Sequence, residues 1–298
     1  MSTKELRLPN YGGQALIEGV LMRGKFNVAA AFRLPNGQIK IQTEQLSKVY
    51  RHKIFELPFI RGLLLLGDAL FLGYRYLTIS ANYQVKEDEK IEGPASFASL
   101  ILALLFALAI FFLVPALISK LIANLFSFSS FITNLLEGII RLSLVILYLW
   151  AIRRIPEILN VFKYHGAEHK TINAFEAGAE LTPQNVSKFS LYHPRCGTSF
   201  ILTVVIFSMI IFTLMGSLSL PAMIMSRIFL VAPIVMISYE YIRWVSNNLD
   251  HPFVKILAIP NLKLQTLTTE EPNETMLEVA ISAFLKMYDL EISTQKLI

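Results

Sequence analysis

Four long apolar segments constrain the fold of this chain more than any other feature of its sequence. They cover residues 97–118, 131–152, 199–220 and 222–242. Each is about 20 residues long, which is the length that a helix needs to cross roughly 30 Å of hydrocarbon. Because only Pro221 separates the third segment from the fourth, these two should form a tight hairpin. We therefore predict a mainly α-helical membrane protein with four transmembrane helices in two hairpins.

Charged side chains are distributed unevenly between these segments and the rest of the chain. Only 16% of all residues are charged, against roughly 25% in an average soluble domain. The four segments hold 87 residues but only four of the charges. Outside them the charged fraction rises to about 21%, which is close to that of soluble proteins. The sequence therefore predicts a substantial water-facing part, and its single cysteine excludes an internal disulfide.

The lysine and arginine counts predict how the bundle is oriented. Before the first segment, between the second and third, and after the fourth there are 24 of these residues, whereas only Lys120 lies between the first and second. Loops rich in Lys and Arg stay on the cytoplasmic side of a membrane. Both termini and the central loop are therefore predicted to be cytoplasmic. Since no Arg/Lys block is interleaved with aromatic residues, we expect no nucleic-acid partner.

The water-facing regions carry their own structural signals. Asn36-Gly37 is a two-residue hairpin signal, and the alternating residues 38–42 after it predict a small N-terminal β-rich region. Residues 59–79 are apolar but interrupted by charges, which predicts an amphipathic helix on the membrane surface or on the bundle, with a fifth span as the alternative. Prolines and periodic apolar residues predict cytoplasmic helices at about 156–177 and 272–289.

These signals divide the chain into six regions. We predict a cytoplasmic β-rich region at 1–58, an amphipathic helix with a charged linker at 59–95, a transmembrane hairpin at 96–152, a cytoplasmic loop at 153–198, a second transmembrane hairpin at 199–242 and a cytoplasmic C-terminal region at 243–298.

The central loop contains the pattern H-x-x-E-H, in which His165, Glu168 and His169 occupy the fixed positions. On a helix, residues i and i+4 share a face, so both imidazoles can reach one metal ion. The glutamate on the flank of that face could act as a general base, as in the inverzincin arrangement. A pair of packing histidines is the alternative. The pattern predicts a divalent metal site, with zinc as the expected metal.

A tetrahedral site needs a further ligand, for which His193 and Cys196 are the candidates because both are good zinc ligands. A lone cysteine is otherwise most often a small buried apolar residue. Arg195 could hold an anionic substrate group or form a plain salt bridge. Glu176 lies about 10 Å further along the helix than His169, so a supporting or substrate-binding role fits it better than direct ligation.

Three charges lie deep within the apolar segments, namely Glu137, Arg141 and Arg227. Buried charges in membranes usually face the bundle and pair with one another. Glu137 could pair with Arg227 across two helices or with Arg141 along one helix. A polar pathway and a structural clamp are the two interpretations, and we favour the clamp.

Four motifs along the chain resemble those of the YqhQ family of bacterial membrane proteins. They lie at residues 12–24, 164–171, 193–200 and 264–280, in the same order and over nearly the whole chain. The resemblance implies a bacterial plasma-membrane protein of a family described as metal-dependent enzymes. It supplies no substrate.

The residues favour a metal-dependent enzyme, possibly a hydrolase acting at the cytoplasmic face of the bilayer. His165 and His169 would hold zinc, His193 or Cys196 would complete the site, and Glu168 would be the general base. The substrate would be a segment of a membrane protein or a lipid-linked compound. The alternative is a non-enzymatic scaffold, assembly factor or small transporter.

Overall fold

The fold is given by a computed structural model that describes residues 11–47, 54, 57–90 and 93–295, without the side chains of 94–96. Within these residues an N-terminal antiparallel sheet precedes a mostly helical chain. The predicted β-rich region and the mainly helical fold are both confirmed. Parts of the predicted regions 1–58, 59–95 and 243–298 lie outside the described residues.

The sheet is a meander in which each strand pairs with the next along the chain. Its strands are β1 (Gly12–Leu16), β2 (Gly19–Arg23), β3 (Asn27–Arg33) and β4 (Ile39–Gln45). Successive side chains of each strand point to opposite faces of the sheet, and both faces are buried. One face, with Val20 and Met22, joins a core shared with the helices Pro156–Glu176 and Glu274–Gln295, and the other, with Leu21 and Val28, packs on the first helix.

The prediction of a two-residue turn at Asn36-Gly37 was wrong by one residue. The amide N–H of Leu34 bonds the carbonyl of Gln38, which leaves Pro35, Asn36 and Gly37 in the loop. Proline favours the second position of a type I turn, and the glycine that follows adopts φ +84°. This combination makes a three-residue hairpin loop.

The helical part of the chain follows the sheet. Its α-helices are α1 (Ile60–Asn82), α2 (Pro94–Leu108), α3 (Val114–Phe126), α4 (Ser130–Ile152), α5 (Pro156–Glu176), α6 (Pro183–Val186), α7 (Gly197–Leu214), α8 (Leu220–Phe229), α9 (Val231–Asn247), α10 (Pro252–Leu264) and α11 (Glu274–Gln295). The helices predicted at about 156–177 and 272–289 are confirmed as α5 and α11. The latter begins at Glu274 because the Asn273 side chain caps it by accepting the N–H of Met276.

Four described helices are long and apolar enough to cross a membrane, but they are not quite the predicted four. They are α1, the continuous 30-residue run Phe97–Phe126 that includes α2 and α3, then α4 and α7. The predicted helix 222–242 is instead broken into α8 and α9, which are bent by 42°. Pro233 lies in the first turn of α9. It has no N–H to donate to the backbone carbonyl four residues earlier, and its ring clashes with that carbonyl, which bends the helix. The bent pair would be a fifth span.

Helix α1 connects the sheet to the bundle. At its start Gly62 packs directly against Tyr239 of α9, and Arg61 pairs with Glu240 of the same helix. Further along, Gly73 lies against the Gln14 side chain of β1, and Asp68 pairs with Arg23 of β2. The predicted helix over 59–79 is therefore confirmed.

Candidate metal centre

The two histidines of the H-x-x-E-H pattern lie side by side on α5, with their ring centroids 4.4 Å apart. Nδ1 of His165 donates to the carbonyl of Thr268 at 2.8 Å, and Nδ1 of His169 donates to the carbonyl of Leu191 at 2.5 Å. A histidine that donates from Nδ1 keeps the lone pair of Nε2 for a metal. This is how the outer shell of a metal site commonly fixes its ligands.

Cys196 provides the third donor. It is the residue that directly precedes α7, it is buried, and its Sγ lies 3.3 Å from Nε2 of His165. One donor atom from each of His165, His169 and Cys196 lies within 4.8 Å of the others. A tetrahedral zinc ion needs its nitrogen and sulfur ligands roughly 3.3–3.6 Å apart. Small side-chain shifts would therefore bring the three donors onto one ion.

His193 lies beside this group but faces another way. Its ring centroid is 5.7 Å from that of His169, and its Nε2 lies 3.7 Å from a carboxylate oxygen of Glu176. Among the described residues this Nε2 has no hydrogen-bond partner. Burial lowers the pKa of His193, and nearby Glu176 only partly offsets this. Of the two candidates for completing the ligand set, the structure brings Cys196 into the group and directs His193 towards Glu176.

Glu176 and Arg195 form an ion pair at the edge of this cluster. Burial alone would raise the pKa of Glu176, but the nearby imidazole of His193 and the charge of Arg195 lower it below the ordinary value. Glu176 therefore holds a negative charge against His193. Arg195 already has a carboxylate partner, so the salt bridge considered from sequence is present.

Glu168 is buried on the sheet side of α5. Burial raises its pKa to about 7, although His165 and the backbone N–H of Gly13 both favour the charged form. A side chain at Gly13 would clash with Glu168, since an added Cβ there would lie 2.8 Å from its Cγ. The same Cβ would lie 2.6 Å from the backbone carbonyl oxygen of Leu21, so the close approach of both groups requires glycine at this position of β1.

Gln265 supports the loop that carries Cys196, although no residue pattern in the sequence singled it out. It is fully buried, and it directly follows α10 and contacts the loop that carries His193 and Cys196. Its Oε1 accepts the N–H of His193 at 2.9 Å, while its Nε2 donates to the His193 carbonyl and to Oγ of Ser199, each at 2.8 Å. It therefore holds the backbone of His193 before Cys196 and the side chain of Ser199 after it. The only sequence signal was its place in the fourth motif.

The same motif supplies two further supports. Besides binding His165 through its carbonyl, Thr268 donates from its hydroxyl to that of Thr198, which in turn contacts Sγ of Cys196 at 3.1 Å. The carbonyl of Glu270 lies so close to Gly166 that a Cβ there would be only 2.2 Å away. The residue after His165 therefore has to be glycine for this segment to reach the ligands.

Comparison with known proteins places the chain in a family. Residues 57–290 match the model of a protein family of unknown function, DUF1385. The chain belongs to this family. It is 33% identical over 305 residues to the uncharacterized protein YqhQ of Bacillus subtilis (strain 168), with 97% of this chain and 95% of that protein covered. The resemblance to the YqhQ family is thus confirmed. No solved structure matches the chain.

Membership of the DUF1385 family names neither a reaction nor a ligand. The apolar helices of this DUF1385 protein are compatible with a bilayer. Its chemistry has to be inferred from the side chains that the fold brings together.

Proposed function

We propose that this DUF1385 protein is a zinc-dependent membrane enzyme, a hydrolase that works at the cytoplasmic face of the bilayer. The observation that carries the proposal is the convergence of His165, His169 and Cys196, with both imidazole rings held by backbone carbonyls. This arrangement leaves one ring nitrogen of each histidine available to an ion, and Sγ of Cys196 lies 3.3 Å from that of His165.

The donor set favours zinc over other divalent metals. Imidazole suits zinc, copper, iron and nickel, whereas thiolate suits zinc and Cu(I), so two imidazoles with one thiolate are best matched by zinc. Three protein ligands leave one tetrahedral position for substrate or solvent, which is the pattern of catalytic rather than structural sites. A bound zinc ion would supply a Lewis acid at this point. Glu168, beside His165, would be the general base.

The fold supports a topology with four crossings. The sheet, α5 and α11 pack together, so they lie on one side of the membrane. Between the sheet and α5 the chain must therefore cross an even number of times. The α2–α3 run and α4 supply two crossings, and α1 as a third would break this parity. We infer that α1 lies at the interface.

The same parity applies after the metal centre. Since α11 returns to the sheet, α7 must be followed by a second crossing, which only the bent pair α8–α9 can provide among the described helices. The lysine and arginine distribution then favours a cytoplasmic location for the sheet, the metal centre and both termini. A plasma-membrane site follows, and the substrate would be a membrane-protein segment or a lipid-linked compound.

Glu168→Gln separates an enzyme from a non-enzymatic membrane scaffold. Purified wild-type protein and the variant are incubated with membranes from cells that lack the gene, and the lipids and peptides released are compared by mass spectrometry. An enzyme should lose its products in the variant while retaining zinc and its melting temperature. The same products from both proteins, or none from either, would reject the proposed hydrolase.

The scaffold alternative has one observation in its favour. Glu168 packs against Gly13 of β1, so it also joins α5 to the sheet. In that case Glu168→Gln, which retains the shape of the side chain, would leave the function intact and the zinc content unchanged.

A further inference from the structure

A buried ionic network lies in the bundle, between the helices that carry the intramembrane charges. Glu137 of α4 accepts from Nη2 of Arg141 at 2.5 Å and from Nε and Nη2 of Arg227 at 3.0 and 2.5 Å. All three side chains are at most 1% exposed. Both pairings considered from the sequence therefore form at once, with two guanidinium groups sharing one carboxylate.

Arg141 shares the carboxylate of Glu137 with Arg227, and its remaining N–H groups donate to neutral acceptors. Pro115 has no N–H to donate to the carbonyl of Phe111 one turn earlier, and that carbonyl accepts from Nε of Arg141 at 2.8 Å instead. The chain is locally widened into a π-helical turn at Ala109–Leu113. Ser208 accepts from Nη1 at 2.9 Å. The helix distortion around Pro115 thus provides a free backbone carbonyl that binds the guanidinium group of Arg141.

The charges of this region do not balance. Among the described residues of α2 to α4, α7 and α8, the side chains that are charged at neutral pH are Glu137, Lys120, Arg141 and Arg227. Two guanidinium groups therefore share one carboxylate, and Lys120 adds a third cation in the same region. An uncompensated charge in a low-dielectric region costs several kcal/mol, so such a site favours the binding of an anion.

A cavity of about 210 Å³ opens onto this network. Arg227 and Lys120 contribute to its wall together with polar side chains that include Ser130, Thr133 and Asn134, and none of its lining residues is acidic. Lys120 has no ion-pair partner in the part of the chain that the structure describes. The cavity lies at the start of α4 and beyond the end of α7, opposite the metal centre.

We propose that this cavity binds a phosphate group, either that of a lipid headgroup or inorganic phosphate. Arginine and lysine are the usual partners of phosphate, and hydroxyl and amide side chains supply further donors. The adjoining surface of α3 presents Leu121 and Leu125, which are 63% and 72% exposed and could contact acyl chains. The site does not depend on the proposed zinc chemistry.

The test measures the melting temperature of the full chain in neutral detergent. The probes are inorganic phosphate and dihexanoyl-phosphatidylglycerol, with sodium chloride of equal ionic strength and dihexanoylglycerol as controls. We expect a phosphate-bearing probe to raise the melting temperature of wild type. Protection by phosphate alone would indicate the free anion, and protection by the lipid only would indicate a headgroup.

Two variants test whether the rise in melting temperature comes from binding in the cavity. Lys120→Gln removes the unpaired cation, and we expect a midpoint concentration about tenfold higher, which corresponds to the loss of one charged contact. Ser130→Asp adds a carboxylate to the wall in the first turn of α4, where a helix tolerates acidic residues, and should abolish protection. Lys255→Gln, at an exposed site on α10, is the matched control and should respond as wild type.

Three results would overturn the proposal. One is that no phosphate-bearing probe protects wild type. Another is that sodium chloride or dihexanoylglycerol protects equally well. The third is that a folded Lys120→Gln or Ser130→Asp protein responds as Lys255→Gln does.

Discussion

The Nδ1 atom of His165 donates a hydrogen bond to the backbone carbonyl of Thr268, 103 residues further along the chain. The imidazole is therefore oriented by the turn between α10 and α11 rather than by its own helix. Gln265, one turn before Thr268, fixes the loop that carries Cys196. The metal centre thus depends on three segments that are far apart in the sequence.

Gln265→Ala should destabilise the protein and weaken zinc binding. It leaves up to three buried polar groups without a partner, at a cost of about 1–3 kcal/mol each. We expect a lower melting temperature by circular dichroism, and zinc affinity reduced about tenfold or more. Gln184→Ala, at an exposed site in α6, should change stability by less than about 0.5 kcal/mol. Unchanged zinc affinity in Gln265→Ala would mean that this side chain does not support the centre.

Reporter fusions should reveal four crossings. Alkaline phosphatase inserted after Ser127 or Gly216 should be active, because both loops are predicted to lie outside the cell. Fusions after Ala177 or Gln295 should be inactive, and fluorescent-protein fusions at those positions should fluoresce. Active phosphatase fusions after both Ser127 and Ala177 would contradict the crossing by α4, and an active fusion after Ala177 alone would contradict the cytoplasmic location of α5.

Glu291→Gln should detach the β2–β3 hairpin from α11. Its carboxylate accepts the backbone N–H groups of Lys25, Phe26 and Asn27 at 2.8–3.1 Å. Hydrogen bonds to a charged acceptor are worth about 1.5–3 kcal/mol each, and an amide has only one oxygen to offer. We expect a loss of about 2 kcal/mol or more in denaturant unfolding. Glu278→Gln, which removes an exposed ion pair with Arg33, should cost less than about 1 kcal/mol.

Tyr11→Phe should make the protein less sensitive to alkali. Burial raises the pKa of Tyr11 to about 12, with further contributions from Tyr288 and Glu291. The unfolded chain therefore ionises first, near pH 10, and stability is lost as the pH rises from 10 to 12. Between pH 10 and 12 the free energy of unfolding of Tyr11→Phe, measured with denaturant, should fall by up to about 2–3 kcal/mol less than that of wild type. If both proteins lost the same free energy of unfolding, ionisation of Tyr11 would not be the cause of the alkaline destabilisation.

Local signals in the sequence predicted much of the fold. Pro156 and Gly178 bound α5 because proline suits a first helical turn and Gly178 adopts φ +71°. The break in the last apolar segment had a signal too, since Pro233 cannot continue a helix undisturbed. The β1–β2 hairpin had none, because Ile17 and Glu18 form its turn. The positive φ of Glu18 is compensated by hydrogen bonds from Asn160 and from Tyr164 at 2.9 Å.

The candidate site was only half visible in the sequence. The H-x-x-E-H spacing predicted which face of α5 would carry the ligands, because helical periodicity is a local property. Whether Cys196 or His193 would join them could not be predicted, since that depends on how Gln265 holds the loop. Contacts between distant segments are set by tertiary packing and leave no trace in local patterns.

The most direct test of the zinc centre is the zinc content of purified full-length protein, measured by mass spectrometry of the metal. We expect about one zinc ion per chain in wild type and in the control His251→Ala, whose side chain caps α10 away from the site. His165→Ala and Cys196→Ala should lose the metal, while His193→Ala should retain it. Negligible zinc in wild type, or equal zinc in all of these proteins, would contradict the account.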